Sequence, residues 1–405
     1  MDVADRIEPA ALGHLRRARG ILRSPREEFR NHRESGTPPA MNMECRQMVH
    51  RHRVASAGRK RRPFARLHRS RSLRTILAAL ALVTAAAPAS ADEATFEAIR
   101  KVDTALGRIG YRLASANAPL CDRLEPGLGL LLHTPTQYSK ALREEAIRYF
   151  RFDGPVGVEA VIPDAPAARA GIQANDTLLA IGPQRFASVD SAAEANTAAA
   201  IKVAAQVAAL PPAQTVELRG RRDGADFVRS VTPVPACRTR FEVAIGSQFT
   251  AKADGEMVQI GSRFFEEYPE ELVAAAVAHE LSHNILNHRR RLEAQGVEYG
   301  MMSGFGRNVR YFRQTELEAD ILSVSLLANA GYDPNVAVRF WRRFGPSYAG
   351  GILRSRSHPA WQDRLATIEK AIADLGTARP ARPAILDERN RPLDGSWQRL
   401  LVKRR

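Results

Sequence analysis

His279-Glu280-Leu281-Ser282-His283 closes an apolar run, Leu272 to Ala278, and carries the residue types of a hydrolytic metal site. On a helix, two histidines four residues apart project from one face, so both imidazoles can hold one Zn²⁺. Glu280 then lies where it can take a proton from water activated by the ion. At this chain's His and Glu frequencies chance produces such a string in roughly one sequence per hundred, so its surroundings decide the reading. His288 falls about half a turn further round a continuing helix and reads as a surface residue.

A catalytic zinc takes three protein ligands and keeps one position open. Thr315 to Asp320 opens a second helix patterned by Leu317, Ile321, Leu322, Val324, Leu326 and Leu327, ended by Gly331 and restarted at Pro334. Glu316 and Asp320 share a face while Glu318 points away. Glu316 is therefore the expected third ligand, and Asp320 the acceptor for the free ring N–H of a liganding histidine. The alternative is Glu316 as a helix N-terminal acid favoured by the dipole.

H-E-L-S-H followed by E-L-E-A-D resembles the HtpX-like and CAAX prenyl protease family of gluzincin metallopeptidases. The resemblance implies Glu316 as third ligand, and the strand Ala251 to Ile260 as an active-site edge that pairs with extended substrate. Ser357-His358-Pro359 followed by Arg364 is similar to the family's H-P-x-x-x-x-R motif. It implies His358 beside the metal, either stabilising the oxyanion or closing the open zinc position in a resting state, and Arg364 positioning or polarising substrate. The alternative is a helix start with Arg364 on a solvated face. The resemblance spans residues 240–375. Several relatives are integral membrane proteins, but nothing after residue 92 supplies the ~20 apolar residues of a spanning helix, so a soluble, exported member is expected.

The net charge of +16 is unevenly placed: residues 1–91 hold 19 of the 60 Lys and Arg and 7 of the 44 Asp and Glu, a net of +12. Thr75 to Ala87 is an apolar stretch and Pro88-Ala89-Ser90-Ala91 a small-residue cleavage site, so Asp92 is the expected mature N-terminus and the periplasm the expected compartment in a Gram-negative source. What remains calls for no nucleic acid, and peripheral association with the envelope is compatible with it. In an oxidising compartment Cys121 and Cys237 can close a loop of over a hundred residues, worth up to ~4 to 5 kcal/mol; the alternative is two free thiols. His133 is the one histidine of residues 92–405 outside the protease region, so neither cysteine has a convincing base.

Around these residues the chain divides by composition. Residues 1–91 are the leader and 92–150 a helical or mixed lead-in, with Phe96, Ile99, Val102, Leu106 and Ile109 at helical spacing. Residues 151–236 show short strands and turns. Their segment Ala165 to Ile172, followed by Asn175 to Gly182, resembles a PDZ domain of the kind attached to exported proteases, implying capture of peptides by strand addition; the alternative is a β-rich spacer. Residues 237–376 form the zinc metallopeptidase region, with Arg289 to Arg313 a Gly-containing loop that can act as a lid, and 377–405 a Pro/Arg-rich tail. The expected fold class is α+β, a mainly helical zincin domain with a small β edge preceded by the PDZ-like domain. The expected function is a zinc-dependent endopeptidase of the cell envelope acting on unfolded or misassembled proteins. The competing reading is an envelope chaperone or assembly factor that binds clients with little proteolysis.

Overall fold

The apolar spacing that begins at Phe96 becomes one face of a 27-residue helix, α1 (Ser90–Ala116), whose Ile99, Val102, Leu106, Ile109 and Leu113 are buried. The structure is a computed structural model that describes residues 90–188, 193–297, 306–349 and 358–402. The expected leader up to Ala89, Gly300 and Gly304 of the proposed lid, Ser357, and the basic end from Lys403 lie outside those residues.

After α1 come β1 (Leu124–Gly127), β2 (Leu130–His133), α2 (Lys140–Tyr149), β3 (Val156–Val161), α3 (Pro166–Arg169), β4 (Thr177–Ile181), β5 (Gln184–Arg185), α4 (Ala198–Ala208), β6 (Val216–Arg222) and β7 (Ala225–Val231). The antiparallel sheet runs β2-β3-β4-β6-β7, with β5 hairpinned onto β4. Val156, Val158, Leu178, Ile181 and Leu218 fill its core with Val203 of α4. Its edge strand β2 comes from the segment read as lead-in. The sheet therefore begins some twenty residues ahead of the expected boundary at 151, because Leu130 to His133 pairs with β3 across an intervening helix.

β8 (Val234–Cys237) returns to pair with β1, and the Cys121–Cys237 disulfide closes beside that pairing with a Cα–Cα distance of 5.5 Å. A second sheet comes next in the chain, β9 (Arg240–Ala244), β10 (Ala251–Ala253) and β11 (Met257–Gly261), in the order β10-β11-β9. Two glycines of α1 set the spacing between the sheets. A Cβ on Gly107 would lie 2.6 Å from Leu131 of β2, and one on Gly110 2.6 Å from Phe241 of β9. Glycine costs about 1 kcal/mol in a helix interior, and close approach on both sides is what it provides here.

The helices that carry the motifs are α5 (Ser262–Glu267), α6 (Glu270–Ile285), α7 (His288–Ala294), α8 (Val309–Asn329), α9 (Asn335–Tyr348) and α10 (Trp361–Ala373). Pro269 precedes α6, and Glu270 and Glu271 favour its positive end. Leu272 to Ala278 is buried all round, the mark of a central helix. α8 begins at Val309 rather than at Thr315, so Glu316 sits two turns inside the helix, beyond the reach of a dipole argument. The tail after α10 does not trail away: Ala381 N–H donates to Asn329 Oδ1 at 2.6 Å and Gly395 N–H to Gln314 Oε1 at 2.8 Å. Among the described residues no helix is long and apolar enough to cross a membrane.

Where α1 passes behind β3, Asp103 hydrogen-bonds Glu159, and burial pushes both carboxyls upward, Glu159 to about 7. The folded protein thus keeps a proton that the unfolded chain releases near 4.5, and stability from this group falls as pH rises from there to about 7. Glu159→Gln has no such proton to lose. Its stability relative to wild type should improve by about 2 to 3 kcal/mol between pH 4.5 and 8. Denaturant melts of both proteins at several pH values measure this, and a pH-independent difference would refute it.

Candidate metal centre

α6 and α8 cross so that three donor atoms converge. His279 Nε2 lies 3.1 Å from His283 Nε2, Glu316 Oε2 3.5 Å from His279 Nε2, and Glu316 Oε1 3.6 Å from His283 Nε2. Tetrahedral zinc with ligands at about 2.0 to 2.1 Å requires donor separations of about 3.3 Å, so the spacing suits that ion.

The tautomers point the same way. His279 Nδ1 is 3.0 Å from Asp320 Oδ1. A carboxylate only accepts, so the Nδ1 of His279 carries a proton and its Nε2 is turned to the other donors. His283 is fixed by a longer relay. His288 Nε2 donates to Glu318 Oε2 at 3.1 Å, and the Nδ1 left without a proton lies 2.8 Å from His283 Nδ1, which donates to it. The Nε2 lone pair of His283 is again turned inward. Two ring Nε2 atoms and a carboxylate thus face one another, a donor set that zinc would complete by displacing the second proton that His279 otherwise holds.

This relay corrects one expectation and adds to another. His288 is not a surface residue but buried, because α6 ends at Ile285 and Asn287 takes a left-handed φ of 53° before α7 starts. The nine-residue count assumes one unbroken helix, whereas the break swings the ring back onto His283. Glu318 does point away from the three converging donors, yet into the interior: it is fully buried and binds His288, Arg291 Nη1 at 2.6 Å and Gln314 Nε2 at 2.8 Å. Gln314 in turn accepts from Gly395, and Arg291 Nε donates to the Arg391 carbonyl at 2.9 Å, which ties the tail to the back of the site. The sequence holds one usable signal for this network, the four-residue step from Gln314 to Glu318 on a helix already lined with acids.

Arg364 is 4% exposed, not on a solvated face. Its Nε and Nη2 grip Asp320 at 2.7 and 2.8 Å, Nη1 reaches Glu316 Oε2 at 3.0 Å, and the guanidinium lies over Trp341, 4.2 Å from the ring centroid. His358 stands at the mouth, half-exposed, with Nε2 3.6 Å from Glu316 Oε2. Glu280 is nearly buried and lines the same cleft, about 500 Å³ in volume. Burial pushes its carboxyl up to about 7 against the pull of His279. Burial also holds His283 well below its usual range, so it is neutral. For His279, burial and Arg364 act downward, but the bonds to Asp320 and Glu316 win and raise it to about 9. Burial acts upward on Glu316 but is overcome by His358, Arg364, His279 and His283, which keep it well below the carboxylate range.

The cleft is also lined by β10, an edge strand of its sheet among the described residues, and by the rings of Phe249 and of Phe344 and Tyr348 on α9. Asp320→Asn removes the acceptor that fixes His279 and half of the Arg364 clamp. Zinc affinity should fall about 10- to 100-fold, as read by competition with a chromogenic chelator; unchanged affinity would show that Asp320 does not orient the ligand.

Comparison with known proteins agrees with this geometry. Residues 302–372 match the profile of peptidase family M48, a segment that holds Glu316, Asp320, His358 and Arg364, and residues 157–196 match a PDZ domain. The mitochondrial metalloendopeptidase OMA1 of Schizosaccharomyces pombe is 24% identical over 131 residues, covering 27% of this chain. The chain aligns with 39% of that relative's length. Both halves of the resemblance drawn from the motifs, gluzincin metallopeptidase and PDZ domain, are met.

Proposed function

From a chain with an M48 match around its third donor and a PDZ match ahead of it, we propose a zinc-dependent endopeptidase that is exported to the cell envelope and cleaves unfolded or misassembled proteins. The observation that carries the reading is the convergence of His279, His283 and Glu316 with Glu280 beside them in one cleft. Zinc held by that triad would supply Lewis acidity, polarising the scissile carbonyl and making water a stronger acid.

The chain's own residues do the rest. Glu280, buried beside the three donors in the cleft, takes the proton from the attacking water and returns it to the leaving amine. β10 offers its outer backbone edge to an extended peptide, and the aromatic wall takes apolar side chains. His358, half-exposed at the mouth, is placed to meet the developing oxyanion. Arg364 acts through Glu316 and Asp320 rather than on the substrate. The PDZ-like sheet docks the client.

The test uses an unfolded test protein as substrate. Cleavage should stop on chelation and return with stoichiometric zinc, while the protein stays folded by circular dichroism. A zinc-loaded, folded and inactive enzyme would instead favour a client-binding factor.

A further inference from the structure

A second cavity, about 420 Å³, opens away from the metal centre along the outer edge of β2. One wall is the apolar side of α4, at Ala200, Ile201 and Ala204, and the facing wall is α1 and β9. This is where an extended peptide would add to the docking sheet, so selectivity at this edge rests on the docking role proposed for that sheet. A strand added at β2 turns successive side chains to opposite faces of the sheet. One set meets α4. The other set meets whatever lies behind β3, and there the cavity is acidic.

Val158 and Glu159 show the alternation on β3: Val158 is in the sheet's own core, and Glu159 points to the opposite face, against α1. Glu159 is 7% exposed and hydrogen-bonded to Asp103 of α1, and its Oε1 has no hydrogen-bond partner. A buried carboxyl oxygen left without a partner costs free energy, and two carboxyls side by side cost more. Arg100 is near enough to pull the Glu159 carboxyl down, but not enough to outweigh burial, and no hydrogen bond from it reaches the pair. Arg100 donates to Asn175 Oδ1 at 2.6 Å and lies over Tyr149 and Phe150, while Arg240 lies 3.4 Å from Glu242, a third acid on the cavity wall.

We infer that Asp103 and Glu159 form a subsite for a basic side chain. The groove takes an extended segment in which a Lys or Arg reaches the acid pair while the adjacent residue, apolar, lies under α4. Apolar contact alone would fit any unfolded client. The acid pair makes the groove choose among them, favouring segments in which basic and apolar residues alternate.

Fluorescence anisotropy with labelled peptides tests this on the full chain carrying Glu280→Gln, which leaves the groove untouched and prevents cleavage. Three peptides of alternating pattern differ only in having Lys, Gln or Glu at the positions between leucines. The Lys peptide should bind about tenfold more tightly than the Gln peptide, as a charge-assisted hydrogen bond in a buried site allows, and the Glu peptide more weakly than both. Asp103→Asn with Glu159→Gln should bring the Lys and Gln peptides to similar affinity without abolishing either. Ala204→Trp, which fills the α4 side, should remove binding of all three. Equal affinity of the Lys and Gln peptides for the parent protein would overturn the subsite and leave docking intact. Binding of none would overturn docking and the subsite with it, and binding that survives Ala204→Trp would place the peptide elsewhere and overturn the assignment.

Discussion

Glu280→Gln should retain its zinc and lose about 10⁴-fold in peptide hydrolysis, the upper range for removal of a general base. The substitution keeps the shape of the side chain and removes the carboxylate placed beside the donor set to accept and return the proton. The ligands are untouched, since His279 and His283 are oriented by Asp320 and by the His288 relay rather than by Glu280. Metal analysis beside single-turnover cleavage separates the two effects. A variant that lost metal and activity together would make Glu280 a structural neighbour of the site, and one that kept full activity would move the base elsewhere.

Glu318→Leu should cost about 3 to 5 kcal/mol of stability, the usual consequence of leaving one member of a buried ion pair uncompensated. Arg291, 4% exposed, would keep only its bond to the Arg391 carbonyl, and Gln314 and His288 would each lose an acceptor. The opposing forces on Glu318 are burial, which acts upward, and His288 and Arg291, which outweigh it and hold the carboxyl at about 2. Its contribution is therefore present at neutral pH and lost only as pH falls from about 4.5 toward 2. The second readout is zinc. With His288 no longer held as the Nε2–H tautomer, His283 loses its fixed acceptor, and zinc affinity should drop about 10- to 100-fold. Loss of stability at unchanged zinc affinity would reduce Glu318 to a packing role. Glu318→Gln is the milder companion, since it keeps an acceptor for His288.

The candidate metal donors are legible in the sequence because their information is local. Two helices with apolar periodicity and donors at four-residue steps fix which side chains share a face, and the helix stop at Gly331 with the restart at Pro334 fixes where α8 ends. His288 is misread from periodicity because one residue, Asn287, takes a left-handed conformation that periodicity cannot announce. For Glu318 the helical face identifies the side it leaves but not that this side is buried too. The aromatic cleft wall and the edge strand β2 depend on pairings between distant segments. Leu130 to His133 is an apolar run without alternation, equally suited to several partners until β3 selects it. Arg364 illustrates the same point for chemistry: the spacing from His358 places it near the site, but only the crossing of α10 over α8 shows that it clamps Glu316 and Asp320.

Gly107 and Gly110 hold α1 close to its neighbours on both sides, and so govern how the molecule comes apart. Because β2 lies against one and β9 against the other, α1 is a wall common to both sheets, and its Phe96 end sits in an aromatic cluster with Tyr138 and Phe150. Neither neighbour can melt without stripping the same helix. Heating should therefore give a single cooperative transition rather than the two steps of beads on a string, and a protease nick between the sheets should fail to release a metal-binding fragment that holds its fold.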